Sequence, residues 1–296
     1  MPVDPVAEQP QKVDKFAIAL RVGLYVFLAL AGMMIFPWLM MWSPNMYFIA
    51  AALSSFAAAA VANAVTLRIF ERGQLADIGL GWTAASRKNL LIGASGGVGA
   101  ALLAVLIPVA LRMADLTRVE GGGFNWGAVF FVSVVLLFGA IGEEMLFRGY
   151  AFQVLIGYLG PFATILPFGV LFAVAHLRNP GQGGAAVAWI APLNTGLWGI
   201  LLGYAFLRSG DLWLPIGLHF GWNWVLPLLG ANLSGFTMVI TGLGYQSRTG
   251  DLWTGGAYGP EGGLMTTLVV IALAYGLHRA PVERQTPALV RSAEAW

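Results

Sequence analysis

The chain has 296 residues, of which 58% are hydrophobic and only 10% are Asp, Glu, Lys or Arg, and its formal net charge is +2. A soluble domain of this length carries roughly 25% charged residues, so the composition specifies an integral membrane protein, and the small net charge, with no basic patch interleaved with aromatics, excludes a nucleic-acid partner. With no cysteine in the chain, disulfides, Cys-ligated metals and a thiol nucleophile are excluded as well.

Residues 1–16 read as a cytoplasmic N-terminal tail, acidic and Pro-rich before its first lysines. This tail does not resemble a cleaved signal peptide, so the first span is expected to be retained. Windows of about 20 apolar residues mark spanning helices. They fall near 17–41, 46–69, 89–111, 124–141, 161–177, 187–207, 212–230 and 263–278. The predicted class is all-α: a polytopic membrane bundle of about eight transmembrane helices. N-terminal helices occupy 17–123, a core segment 124–230, a Gly-rich loop and last span 231–278, and a C-terminal tail 279–296.

Polar breaks separate the spans: "SPN" at 43–45, "ERGQLADIGLGWTAASRK" at 71–88 and "RVEGGG" at 118–123. Gly93/Gly97 and Gly199/Gly203 have the spacing of close helix contacts in lipid. The fourth helix is expected to run on to about residue 158, and to bend near Gly142 or project from the membrane. Unbroken, Phe124 to Tyr158 would be about 52 Å long, beyond a hydrocarbon core of about 30 Å. Residues 231–263, with "WTGGAYGPEGG", are expected to form a lid dipping partly into the membrane. Eight spans put both termini on one side, with eleven Lys and Arg residues there against four opposite, leaving Arg148 out of the count. The positive-inside rule then places both termini in the cytoplasm, in a cell-membrane protein.

Within this apolar background, "GEEMLFRGY" (142–150) puts two carboxylates directly after an apolar run, where each charge costs several kcal/mol. Glu144 and Arg148 are i, i+4 and can pair on one helix face. Glu143 points about 100° away and is left without that partner. If the chain turns near Leu159–Pro161, Glu143 and His176 lie at nearly the same depth on antiparallel helices. His219 and Asn223, also i, i+4, share one face of the seventh span, whereas His278 beside Arg279 reads as an interfacial residue. A carboxylate with a histidine can activate water, and a second histidine with an amide can stabilise an oxyanion. The residues taken singly also suit packing, or the proton path of a multi-pass proton-coupled transporter using Glu143. A transporter would more often show two related halves, and no internal repeat is found.

"EEMLFR" (143–148), "FAVAH" (172–176) and "HFGWN" (219–223) resemble, in order, the EExxxR, FxxxH and HxxxN motifs of the CAAX-processing and bacteriocin-processing (CPBP, or Abi) intramembrane proteases. The resemblance covers 124–230, and the short polar termini suggest the bacterial branch. It implies an endopeptidase acting on a membrane-anchored peptide or protein, in contact with membrane lipids. Glu143 would be the water-activating base, assisted by His176. His219 and Asn223 would form the oxyanion pocket, and Glu144 with Arg148 would hold the site in shape. Water activated by glutamate requires no cofactor. The alternative is a divalent metal such as zinc on Glu143, His176 and His219, although the HExxH spacing of a zinc peptidase is missing. No oligomeric state is read from the sequence. The cavity is expected to open both to water and to lipid, so that a cysteine at Gly221 would react with a water-soluble thiol reagent.

Overall fold

A computed structural model describes residues 14–42, 46–181, 184–287 and 289. Residues 1–13 of the expected N-terminal tail, 288 and 290–296 of the expected C-terminal tail, and the expected break at 43–45 lie outside the described residues. The rest is an all-α membrane helix bundle in which each of the eight apolar windows falls on a helix. Five helical stretches are long and apolar enough to cross a membrane. They are α1 (Lys15–Met40), α2 (Tyr47–Thr66, prolonged by a π turn to Glu71), α3 (Ala84–Ala110), the joined α4 (Trp126–Arg148) and α5 (Tyr150–Leu159), and α7 (Ala185–Ser209). The helices at the other three expected windows are shorter: α6 (Pro161–Ala175), α8 (Trp213–Leu228) and, after the short α9 (Asp251–Thr254), α10 (Leu264–Arg279). Helix α3 begins five residues before the expected window because the Thr83 hydroxyl caps it, accepting from Ser86 N at 3.1 Å.

The long fourth helix breaks at Gly149, not at Gly142. Helix α4 runs unbroken through Gly142, where a Cβ would stand 2.5 Å from the Phe56 nitrogen, so this glycine lets α2 approach α4 closely. At Gly149 the backbone leaves helical geometry (ψ −142°). Polar side chains take up the backbone groups around the break. Tyr150 N donates to Asn63 Oδ1 (2.8 Å), while Asn63 Nδ2 and the Tyr25 hydroxyl donate to the Met145 carbonyl (3.1 and 3.0 Å).

Helices α3 and α8 meet backbone to backbone through Gly93, Gly97, Gly217 and Gly221. A Cβ on Gly97 would press on the Leu218 carbonyl and stand 2.8 Å from Trp222 N, whereas one on Gly99 would meet nothing within 4 Å. Gly97→Ala is expected to destabilise the fold by about 1–3 kcal/mol through overpacking. The unfolding midpoint in detergent checks this, with Gly99→Ala as the unperturbed control. Gly199 plays the same part between α7 and α6, 2.9 Å from Gly169 Cα for an added Cβ.

A segment between the third and fourth spans pairs with part of the expected lid. β1 (Ala114–Arg118) and β2 (Leu243–Ser247) form an antiparallel ribbon in which Ala114 faces Ser247 and Arg118 faces Leu243. The ribbon and the Gly-rich stretch after it make a cap that reaches well down the bundle. Asn194 of α7 donates to the carbonyls of Glu261 (2.8 Å) and Gly263 (2.9 Å), about 14 Å along α7 from its first residue.

At the other end, the C-terminal segment is clamped around buried Asp211, which accepts from Asn89 (2.9 Å) and Gln285 (2.5 Å). Burial pushes the Asp211 carboxyl above its ordinary value, and these hydrogen bonds act against that rise. His278, expected at the interface, is exposed and bonded to the Tyr204 hydroxyl at 2.8 Å.

Candidate active site

Glu143, Glu144 and Arg148 occupy the last two turns of α4. Glu144 and Arg148 are both fully buried and lie 3.2 Å apart. The guanidinium also donates to the Gly199 carbonyl (2.7 Å) and stacks over the Phe172 ring, 5.0 Å from its centre. One arginine thereby ties α4 to α7 and α6. The same Glu144 oxygen that faces Arg148 accepts from His219 Nδ1 at 2.9 Å. That contact joins α4 to α8 and was not part of the sequence reading, because i, i+4 spacing reveals partners only within one helix.

His176 is the C-cap of α6, and its Nδ1 donates to the Phe172 carbonyl at 2.7 Å. A carbonyl and a carboxylate are acceptors, so in each histidine the Nδ1 atom carries the hydrogen. Both remaining nitrogens face one carboxylate oxygen. His176 Nε2 is 3.7 Å and His219 Nε2 is 3.9 Å from Glu143 Oε2, which is buried and has no hydrogen-bond partner. These separations are too long for direct hydrogen bonds but lie within the span of a bridging water. The Phe172 ring packs against both imidazoles, 4.6 Å from the His176 ring and 6.0 Å from that of His219.

Glu143, His176, His219 and Asn223 line one cavity of about 280 Å³. The Asn223 amide has no partner among the described residues. Met33, Phe48 and Ala52 of α1 and α2 make an apolar wall. Gly221 does not face the cavity. Its added Cβ would lie 2.5 Å from the Ala94 carbonyl on α3, so a cysteine there reports on helix packing and not on solvent access.

The cap contributes residues that the sequence reading left in a loop. Ser234 and Glu261 line the cavity, as do Trp198 and Trp222 from α7 and α8. The two indoles lie 4.9 Å apart, and buried Trp198 Nε1 is without a partner. Trp222 Nε1 donates to Glu261 Oε1 at 3.1 Å. In the sequence Glu261 shows only as an acidic residue in "GPEGG" just before the last span.

Two imidazoles and a carboxylate suit zinc by donor type. Among the described residues, however, no three His, Asp or Glu side chains stand close enough together to hold one ion. As placed, the three groups are suited to gripping a water: the Glu143 oxygen and His176 Nε2 can accept its two O–H bonds, and His219 Nε2 faces the same gap. No curated protein matches the chain. Residues 125–225, which carry all three motifs, match the family described as Type II CAAX prenyl endopeptidase Rce1-like, and over that third of its length the chain is consistent with the CPBP/CAAX protease family.

Proposed function

We propose that this chain is an intramembrane endopeptidase that hydrolyses a peptide bond of a membrane-associated protein or peptide with water activated by Glu143. The observation that carries this reading is the unpartnered Glu143 oxygen set between two histidine nitrogens in a lined cavity. The family match supports a hydrolase of the CAAX type, and the arrangement does not call for a prenyl group.

In this reading Glu143 takes a proton from a water held also by His176 Nε2, and the hydroxide attacks the scissile carbonyl carbon. The carbonyl oxygen becomes an oxyanion within reach of His219 and the Asn223 amide. Glu143, Glu144 and Arg148 together carry one net negative charge, which a protonated His219 balances, so its Nε2–H can donate to the oxyanion. When the intermediate collapses, the C–N bond breaks, Glu143 returns its proton to the leaving amine, and the new carboxyl remains on the other product. Glu144 and Arg148 position His219 and touch no reacting atom. The Trp198 indole N–H is a free donor for a substrate carbonyl.

The multi-pass chain places this chemistry beside lipid, with both termini proposed on the cytoplasmic side of the cell membrane by the distribution of Lys and Arg. The test is cleavage of a pool of membrane-anchored peptides by the full-length protein and by its Glu143→Gln variant. No products from the wild type, or the same products from both, would sink the reading. A substrate that is itself membrane-anchored also requires a wet cavity, so a cysteine at cavity-lining Asn179 is expected to react with a membrane-impermeant maleimide. Its complete protection in an active enzyme would contradict an open cavity.

A further inference from the structure

Glu261 is 9% exposed and lines the same cavity as Glu143, yet no cation holds it. Its partners are Trp222 Nε1 at 3.1 Å, Ser234 N at 2.5 Å and Ser234 Oγ at 2.7 Å. Three neutral donors and no competing acceptor are the surroundings of an anion, and they leave its charge uncompensated. No Lys or Arg is among the described residues that line the cavity, Arg148 is already committed to Glu144 and Gly199, and the charged His219 of the reading above lies against Glu144 and Glu143, not Glu261. The charge is felt nearby: burial, then the Glu261 carboxylate, push the Tyr258 hydroxyl up to about 12. Two carboxylates on different walls thus bracket whatever peptide enters, and between protein walls such charges are screened less than in bulk solvent.

We infer that Glu261 is a specificity-determining residue that selects peptide segments carrying basic or neutral side chains beside the scissile bond and rejects acidic ones. This rests on the endopeptidase reading above and narrows its substrate class. A lysine or arginine entering the cavity gains the field of an unpaired carboxylate, whereas an aspartate or glutamate meets a like charge. Selection of this kind needs the carboxylate's charge and not merely its shape, which distinguishes it from a purely structural latch between the cap and α8.

The experiment uses full-length enzyme in vesicles and a library of membrane-anchored peptides with Lys, Gln or Glu placed at each position around the cleavage site. The wild type is expected to cut Lys-bearing peptides faster than Glu-bearing ones by on the order of tenfold in kcat/KM. Glu261→Gln should shrink that ratio to near one, chiefly by improving the Glu-bearing peptides. A lesion that only loosened the cap would slow all three classes together and leave the ratio standing, which would overturn the inference. So would a wild type that cuts Glu-bearing and Lys-bearing peptides equally. If the wild type cuts none of the library and matches Glu143→Gln, the endopeptidase reading itself falls, and this inference with it. Should Glu261→Gln fail to fold, Ser234→Ala removes one of the three contacts, the hydroxyl donor, and keeps the charge, so the Lys over Glu preference should persist in it. Loss of the preference there would count against a charge effect.

Discussion

Replacing Glu143 by glutamine is expected to lower kcat/KM by about 10²- to 10⁴-fold, the range that a positioned general base contributes, while the protein folds in normal yield. The amide has nearly the shape of the carboxylate but cannot accept the water's proton. Its surroundings predict little structural cost, because Glu143 Oε2 makes no hydrogen bond that the substitution would break. The carboxylate is also the shared neighbour of His176 and His219, at 3.7 and 3.9 Å. An amide N–H can donate to His176 Nε2, so the variant is expected to be at least as stable as the wild type. Turnover of a membrane-anchored peptide and the unfolding midpoint, measured on one preparation, check both halves. Activity within a few-fold of wild type would show that another group is the base.

Arg148→Ala is expected to have the opposite signature, a loss of folded protein. Removing one partner of a buried ion pair leaves the other charge stranded, at a cost of roughly 3–5 kcal/mol. Here the loss is compounded, since the same side chain supplies the donor to the Gly199 carbonyl and stacks on Phe172. Arg148→Lys should recover only part of the stability, because an ammonium cannot reproduce the planar fork or the stacking. The double variant Glu144→Gln, Arg148→Met should regain stability by removing both charges. It should remain poorly active, since His219 Nδ1 would lose the carboxylate that orients it. The measurements are yield and unfolding midpoint in detergent for the three variants. A stable Arg148→Ala protein would mean that Glu144 is neutral or solvated in the fold.

The sequence by itself determined the membrane class and the positions of the spans, because a run of apolar residues reports its burial in lipid without reference to any partner. Contacts within one helix were legible for the same reason: Glu144 with Arg148, and His219 one turn from Asn223, follow from 3.6 residues per turn. The equal depth of Glu143 and His176 followed from counting residues to a single turn at Gly160. Only the tertiary structure decided what depends on the angle at which one helix meets another. It put His219 against Glu144, sent Gly221 to α3 instead of the cavity, and moved the break from Gly142 to Gly149, where Asn63 and Tyr25 supply the hydrogen bonds. It also paired β1 with β2 and brought Glu261 to Trp222, contacts between segments too distant in the chain and too irregular in pattern for any local periodicity to signal. A glycine illustrates the limit: its missing side chain reads alike whether it loosens a helix or admits a neighbour, and only the neighbour's backbone tells the two apart.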